Sequence, residues 1–332
     1  MNRRNRILVG LLVVVLLLLG AGYVAGGVVV YSQLSVVKPE CKNYKTTEWL
    51  KNTPSAFVAT GESDANLKPY AMSAYQEVSF PSREDKLTIK AWYVPAQGAD
   101  EASAPTVILV HGLNDCKHTP FILLPAGMLN KAGFNVLMID LRNHGDSQVT
   151  DGRYAAGIIE YRDVLGAWDW LVNEKKFAPK TIGLFGTSLG AATVLIAMGE
   201  EPKVAAVWED SSYADINVAI DAELKRDGYP TMLAGAGILM GKLISNRDIT
   251  AKSPLAAINK LNNRPLFITH GSADTRLSPQ YAYDLAAAAR ANGETIEPWI
   301  VDGSEHIRAM FNQTTEYEQK LVAFFKSSIG GA

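Results

Sequence analysis

The chain has 332 residues, with 32 Lys and Arg against 34 Asp and Glu, and 48% of it is hydrophobic. So balanced a charge excludes the clustered basic surface that a phosphate backbone demands, and the large apolar content excludes wholesale disorder. Setting aside an N-terminal segment of about 30 residues leaves roughly 300, enough for one large α/β domain or two small ones.

In chain order, the first element is an uncharged run from Ile7 to Val30, ILVGLLVVVLLLLGAGYVAGGVVV. As a helix it reaches roughly 36 Å, more than a hydrocarbon core of about 30 Å. Arg3, Arg4 and Arg6 precede it, and the next charges are Lys38 and Glu40. That asymmetry predicts a cytoplasmic N-terminus with the rest of the chain on the far side. A cleaved signal peptide is the competing reading, but its apolar region spans about 7–15 residues and is shorter than this run.

Residues 31–75 lack sustained periodicity and read as a linker, with a short helix near Thr46–Asn52. Glu77–Phe80 and Leu87–Val94 are expected to form a leading antiparallel pair across the polar turn SREDK. Strands then alternate with helices: strand Thr106–Val110, helix Thr119–Lys131, strand Asn135–Ile139, helix Ile159–Asn173, strand Thr181–Phe185, helix Leu189–Met198 and strand Val204–Trp208. After a gap come strand Pro265–Thr269, helix Gln280–Ala291, strand Thr295–Val301 and helix Thr315–Lys326. Strands apolar throughout and separated by helices predict a mostly parallel, doubly wound sheet covered on both faces. More than 50 residues separate the strands at 204–208 and 265–269, too many for a simple crossover. This insert, about 212–262, contains MLAGAGILMGKLI and is expected to form a small helical cap.

The chemistry concentrates at Gly186-Thr187-Ser188-Leu189-Gly190, a G-x-S-x-G pattern between the strand TIGLF and the helix LGAATVLIAM. A nucleophilic serine needs such a turn: it lifts the hydroxyl clear of the sheet, and small neighbours let strand and helix approach closely. The alternative is an ordinary turn whose serine caps the helix. The hydroxyl needs a base. Of His111, His118, His144, His270 and His306, only His306 follows the last expected strand, in VDGSEH. Asp274, just after the strand PLFIT, gives the order Ser…Asp…His and is favoured as the group that orients His306. Asp210, at the end of the preceding strand, is its rival. The backbone amides of Leu189 and of Leu113, in the loop His111-Gly112-Leu113-Asn114, are the expected oxyanion donors.

Cys41 and Cys116 could pair in an oxidising compartment, but spacing alone shows no proximity. Cys116 lacks the strand–turn–helix setting of a nucleophile. No H-E-x-x-H, zinc-ligand cysteine spacing, phosphate loop or G-x-G-x-x-G opening a βα unit occurs, so neither metal nor cofactor is expected.

The succession LVHGLND, DLRNHGDS, GTSLGAAT, SPLAAI, FITHGSADTRLSP and GSEH resembles the α/β-hydrolase superfamily from about Glu77 to Phe325. Within it, the chain is similar to bacterial membrane-associated serine hydrolases described as dienelactone-hydrolase-like or serine-aminopeptidase-like. DLRNHGDS resembles a D-x-R-G-H-G-x-S element with Asn143 in place of glycine, in which the resemblance makes His144 structural. The His-Gly-Leu-Asn loop departs from the HGGG of some lipases, and a serine elbow disfavours the dehalogenases and epoxide hydrolases that use Asp there.

The expected organisation is a cytoplasmic N-terminus at 1–6, a transmembrane anchor at 7–30, a linker at 31–75 and an α/β-hydrolase domain at 76–332. The expected function is hydrolysis of a carboxylic ester, small or lipid-like, through an acyl-enzyme on Ser188 at the outer side of the cell membrane. Peptidase or amidase action and acyl transfer to another acceptor use the same residues and stay open. A non-catalytic binding module would not require all three.

Overall fold

A computed structural model of the chain describes residues 2–37 and 47–330. The chain folds into two compact units. The larger, Val37–Asp215 with Lys252–Ala332, carries an eight-stranded sheet in the order β1-β2-β4-β3-β5-β6-β7-β8. The strands are β1 Gln76–Pro81, β2 Thr88–Val94, β3 Thr106–Val110, β4 Asn135–Ile139, β5 Ile182–Thr187, β6 Ala206–Asp210, β7 Leu266–Gly271 and β8 Trp299–Val301. Only β2 runs against its neighbours, and β3 to β8 are parallel.

Every residue of β3, β4, β5 and β6 is buried, as continuous apolar strands covered on both faces require. The edge strand β1 buries only Phe80. The unit's helices are α2 Pro120–Lys131, α3 Tyr161–Asn173, α4 Leu189–Glu200, α7 Pro254–Ile258, α8 Gln280–Ala291, α9 Ala309–Asn312 and α10 Thr314–Ile329. Of these, α3, α4, α7 and α8 adjoin in succession, while α2, α9 and α10 form the other layer. Trp49, Ala59, Leu67 and Met72, from the stretch expected to be a linker, are buried in the core beside α2. Cys116 is buried; its pairing turns on Cys41, which lies outside the described residues.

Three strands run two residues beyond their apolar stretches. Gly186 pairs with Glu209 and Thr187 with Asp210, and β7 extends to His270 and Gly271. Polar side chains and glycine end a hydropathy pattern but not a parallel ladder, so the strand ends nearest the chemistry escape sequence reading. The expected strand Thr295–Val301 begins only at Trp299, directly after Pro298, which has no N–H to donate to a ladder.

The smaller unit comprises Met1–Val36 and Ile216–Ala251. It holds α1 (Arg3–Leu34), α5 (Ile216–Arg226) and α6 (Ala234–Ser245). The first helix, α1, is long and apolar enough to cross a membrane. The insert therefore separates at Ile216 and Ala251, and α7 packs on α4, where Ala257 lies against Gly199.

Candidate active site

Ser188 stands between the last residue of β5 and the first of α4, with φ 54° and ψ −118°. An L-residue rarely adopts this conformation, and only surrounding structure holds it there. The Ser188 N–H donates to the Asp210 carbonyl at 2.8 Å, and its carbonyl accepts from Ala192 at 3.1 Å. Two glycines make the turn possible by close approach. A Cβ at Gly186 would stand 2.4 Å from the Gly190 carbonyl oxygen, and one at Gly190 only 2.2 Å from that of Val110. Both obstacles are backbone, so neither can give way cheaply.

The loop after β8 brings His306 to this turn. Its Nε2 lies 2.9 Å from Ser188 Oγ and its Nδ1 2.7 Å from Asp274 Oδ2. Gly271 lets that loop cross the end of β7, since a Cβ there would meet the Ser304 carbonyl oxygen at 2.2 Å. The other carboxylate oxygen of Asp274 accepts from the Arg276 and Leu277 amides, both at 2.9 Å. Burial works to raise the Asp274 pKa, but hydrogen bonds from His270 and His306 outweigh it and hold the group well below the usual carboxylate range. Asp274 thus stays charged, as a group that steadies an imidazolium must.

Asp210, the rival acid, is engaged elsewhere. Its carboxylate accepts from Tyr317 Oη at 2.8 Å and from Ser211 Oγ at 2.9 Å. Among the described residues no hydrogen bond joins it to His306. Sequence reading also gave no specific partner to His270, whose Nε2 lies 3.0 Å from Asp274 Oδ2 and 2.9 Å from the Leu277 carbonyl. Burial lowers the His270 pKa, yet Asp274 and Glu209 more than offset it. Glu209, wholly buried one residue before Asp210, is pushed up to about 8 by that burial. The signal for this pair is the polar end of two otherwise apolar strands.

The loop of Leu113 lies against the same serine. A Cβ at Gly112 would be 3.3 Å from Ser188 Cβ. Two buried imidazoles fix the loop: His111 Nδ1 donates to the Gly112 carbonyl at 2.7 Å and its Nε2 accepts from Leu141 N–H at 3.0 Å. His144 Nδ1 donates to the Arg142 carbonyl and its Nε2 accepts from Asn114 N–H at 3.3 Å. Burial lowers the pKa of both, His144 to about 3, which keeps them neutral and fits these donor–acceptor roles. Leu189 opens α4, where first-turn amides have no acceptor within the helix.

The DLRNHGDS element holds the remaining loop. Lys117, buried, donates to Asp140 and Asp146, each at 2.5 Å, and Arg142 pairs with buried Asp163 at 2.7 Å. Asn143, where the resembling pattern has glycine, takes φ 64°, and its Oδ1 accepts from Thr150 N–H at 2.7 Å. Asparagine is among the few residues that tolerate this region and can also bond their own loop.

The strand order, with a strained serine at the β5–α4 turn and a histidine after β8, defines an α/β hydrolase. The same fold recurs in the Pyrococcus furiosus esterase Pf2001, at TM-score 0.63 and 21% identity over 84% of this chain and 98% of that one. It recurs also in the Pyrococcus horikoshii acylaminoacyl peptidase, at TM-score 0.59 and 15% identity over 78% of this chain and 42% of that one. The protein YfhR of Escherichia coli K12 is 26% identical over 261 residues, 76% of this chain and 81% of its own length. The chain belongs to the prolyl oligopeptidase family, whose model matches residues 124–332. It is a serine hydrolase of the α/β-hydrolase type.

Proposed function

We propose that this hydrolase cleaves carboxylic esters through an acyl-enzyme on Ser188, with His306 as base and Asp274 as the group that orients it. One observation carries the reading: His306 bridges Ser188 Oγ at 2.9 Å and Asp274 Oδ2 at 2.7 Å through its two ring nitrogens. As Ser188 Oγ attacks the acyl carbon, its proton passes to His306 Nε2, and the charge gained by the ring faces Asp274. The amides of Leu113 and Leu189 donate to the oxyanion. His306 then returns the proton to the leaving oxygen, the bond to it breaks, and water attacks the acyl-enzyme by the same route.

The ester assignment draws on the resemblance to membrane-associated hydrolases and on the likeness to Pf2001. A peptidase reading is favoured by the family itself and by the acylaminoacyl peptidase likeness. Both use the same residues and differ in the leaving group that must be protonated. Paired substrates with one acyl group, as a p-nitrophenyl ester and as a p-nitroanilide, separate them. Turnover of the ester with negligible turnover of the anilide supports the esterase reading. Comparable or greater kcat/KM on acylated peptides overturns it.

We also infer that α1 is a retained membrane anchor, with the three N-terminal arginines on the cytoplasmic side and the hydrolase unit outside. The uncharged run from Ile7 to Val30 and its flanking charges support this topology.

A further inference from the structure

The insert helix α6 runs beside the last turns of α1, and the two meet through small residues. Along α6, Gly237 and Gly241 stand four apart, and on α1 the contact falls on the adjacent Gly26 and Gly27. A Cβ at Gly26 would come within 2.9 Å of Leu233 Cδ2, one at Gly27 within 2.7 Å of the Ala236 backbone, and one at Gly237 within 2.7 Å of Val30 Cγ1. Gly241 faces the Tyr31 ring at 3.2 Å, and Gly235 faces Tyr23 Oη at 3.2 Å. The contacts rise together along both helices, so α6 runs alongside α1 in the same direction with its N-terminal end deepest. Close approach through glycines four residues apart is how helices associate where surrounding lipid leaves no hydrophobic drive between them.

The level of this contact decides the environment. Counted from Ile7, about 20 residues cross the hydrocarbon core and end near Gly26. Tyr23 and Gly26 therefore lie inside its outer boundary, and Leu233 and Gly235 lie level with them. From Thr231 to Gly241 the insert has no charge; the first is Lys242, which pairs with Asp248 at 2.8 Å. Yet this segment leaves Met232 73%, Leu239 46%, Leu243 68% and Ile244 56% exposed. So much apolar surface, continuous with an exposed apolar helix, marks a contact with membrane rather than water.

We propose that the α6 segment of the insert is itself embedded in the bilayer leaflet reached by the C-terminal end of α1. In this arrangement α6 packs on α1 through the glycines, Met232 meets acyl chains, and Leu239 and Lys242 lie at the boundary with the headgroups. The proposal rests on the reading of α1 as a membrane-spanning helix.

The test uses the full chain in vesicles of phosphatidylethanolamine and phosphatidylglycerol. A photoreactive diazirine amino acid is placed singly at Leu17, Met232, Leu239 or exposed Lys225, and lipid adducts are read by mass spectrometry. The expected result is adduct formation at Met232 at a yield comparable with Leu17, a lower yield at Leu239, and none at Lys225. Adducts at Leu17 but none at Met232 and Leu239 would overturn the embedding of α6 and leave the spanning helix intact. Absence of adducts at Leu17 would overturn the spanning helix, and the proposal with it.

Discussion

His306 Nδ1 and Asp274 Oδ2 stand 2.7 Å apart, and the same carboxylate oxygen lies 3.0 Å from His270 Nε2. One buried acid therefore serves two imidazoles, one facing Ser188 and one facing the protein interior. This sharing sets apart the two aspartates that the sequence left in competition.

Asp274→Asn is expected to lower kcat by about 10⁴, the size of loss that follows when an orienting acid no longer fixes the histidine tautomer. Asp210→Asn is expected to keep most of the turnover and to act on stability, because its carboxylate is held by Tyr317 and Ser211. Steady-state kinetics and urea midpoints of both variants check this. The reverse ranking of the two kcat losses would assign the acid to Asp210.

Gly190→Ala is expected to destabilise the fold by about 1–3 kcal/mol, as overpacking does. The added methyl would meet the backbone of Val110 and His111, with no flexible side chain to give way. It is also expected to slow acylation, since relief of the clash moves the Ser188 turn. Denaturant midpoints and pre-steady-state acylation rates read the two effects separately.

Glu209 gives a stability prediction with a definite sign. Burial raises its pKa from 4.5 to about 8. Below 4.5 both folded and unfolded chains hold the proton. As pH rises toward 8 the unfolded chain releases it and the folded one retains it, so the stabilising contribution of the protonated group is progressively lost. Glu209→Gln removes that dependence. Unfolding free energy between pH 4.5 and 8 should therefore fall more steeply in the wild type than in the variant, by on the order of a few kcal/mol in total. Parallel curves would contradict it.

The packing of Gly27 and Val30 against α6 predicts that the mature chain keeps α1. The intact mass of the membrane-extracted protein should include Ile7–Val30, whereas removal of a signal peptide would leave a chain lacking that run.

Much of this was legible in the sequence because the informative residues obey local rules. Apolar runs marked β3 and β4 to the residue, and two glycines around Ser188 marked the turn that steric limits require. Strand order nominated His306 and Asp274, which the fold brings within hydrogen-bond distance of each other. The environments of Asp210, Glu209 and His270 were not, because they depend on which strand ends lie side by side. The limits of β5, β6 and β7 were missed for a related reason: their last residues are polar or glycine yet still pair. The contact of α6 with α1 joins positions more than 200 residues apart, beyond the reach of any local pattern.

Activation of Ser188 as the nucleophile is tested most directly by treating the full-length protein with a fluorophosphonate and locating the adduct by peptide mass spectrometry. The expected result is one phosphonylated residue, Ser188, and no labelling of Ser188→Ala while the variant keeps its wild-type unfolding midpoint. Undiminished labelling of the variant, or a folded wild type that resists the probe, would contradict it.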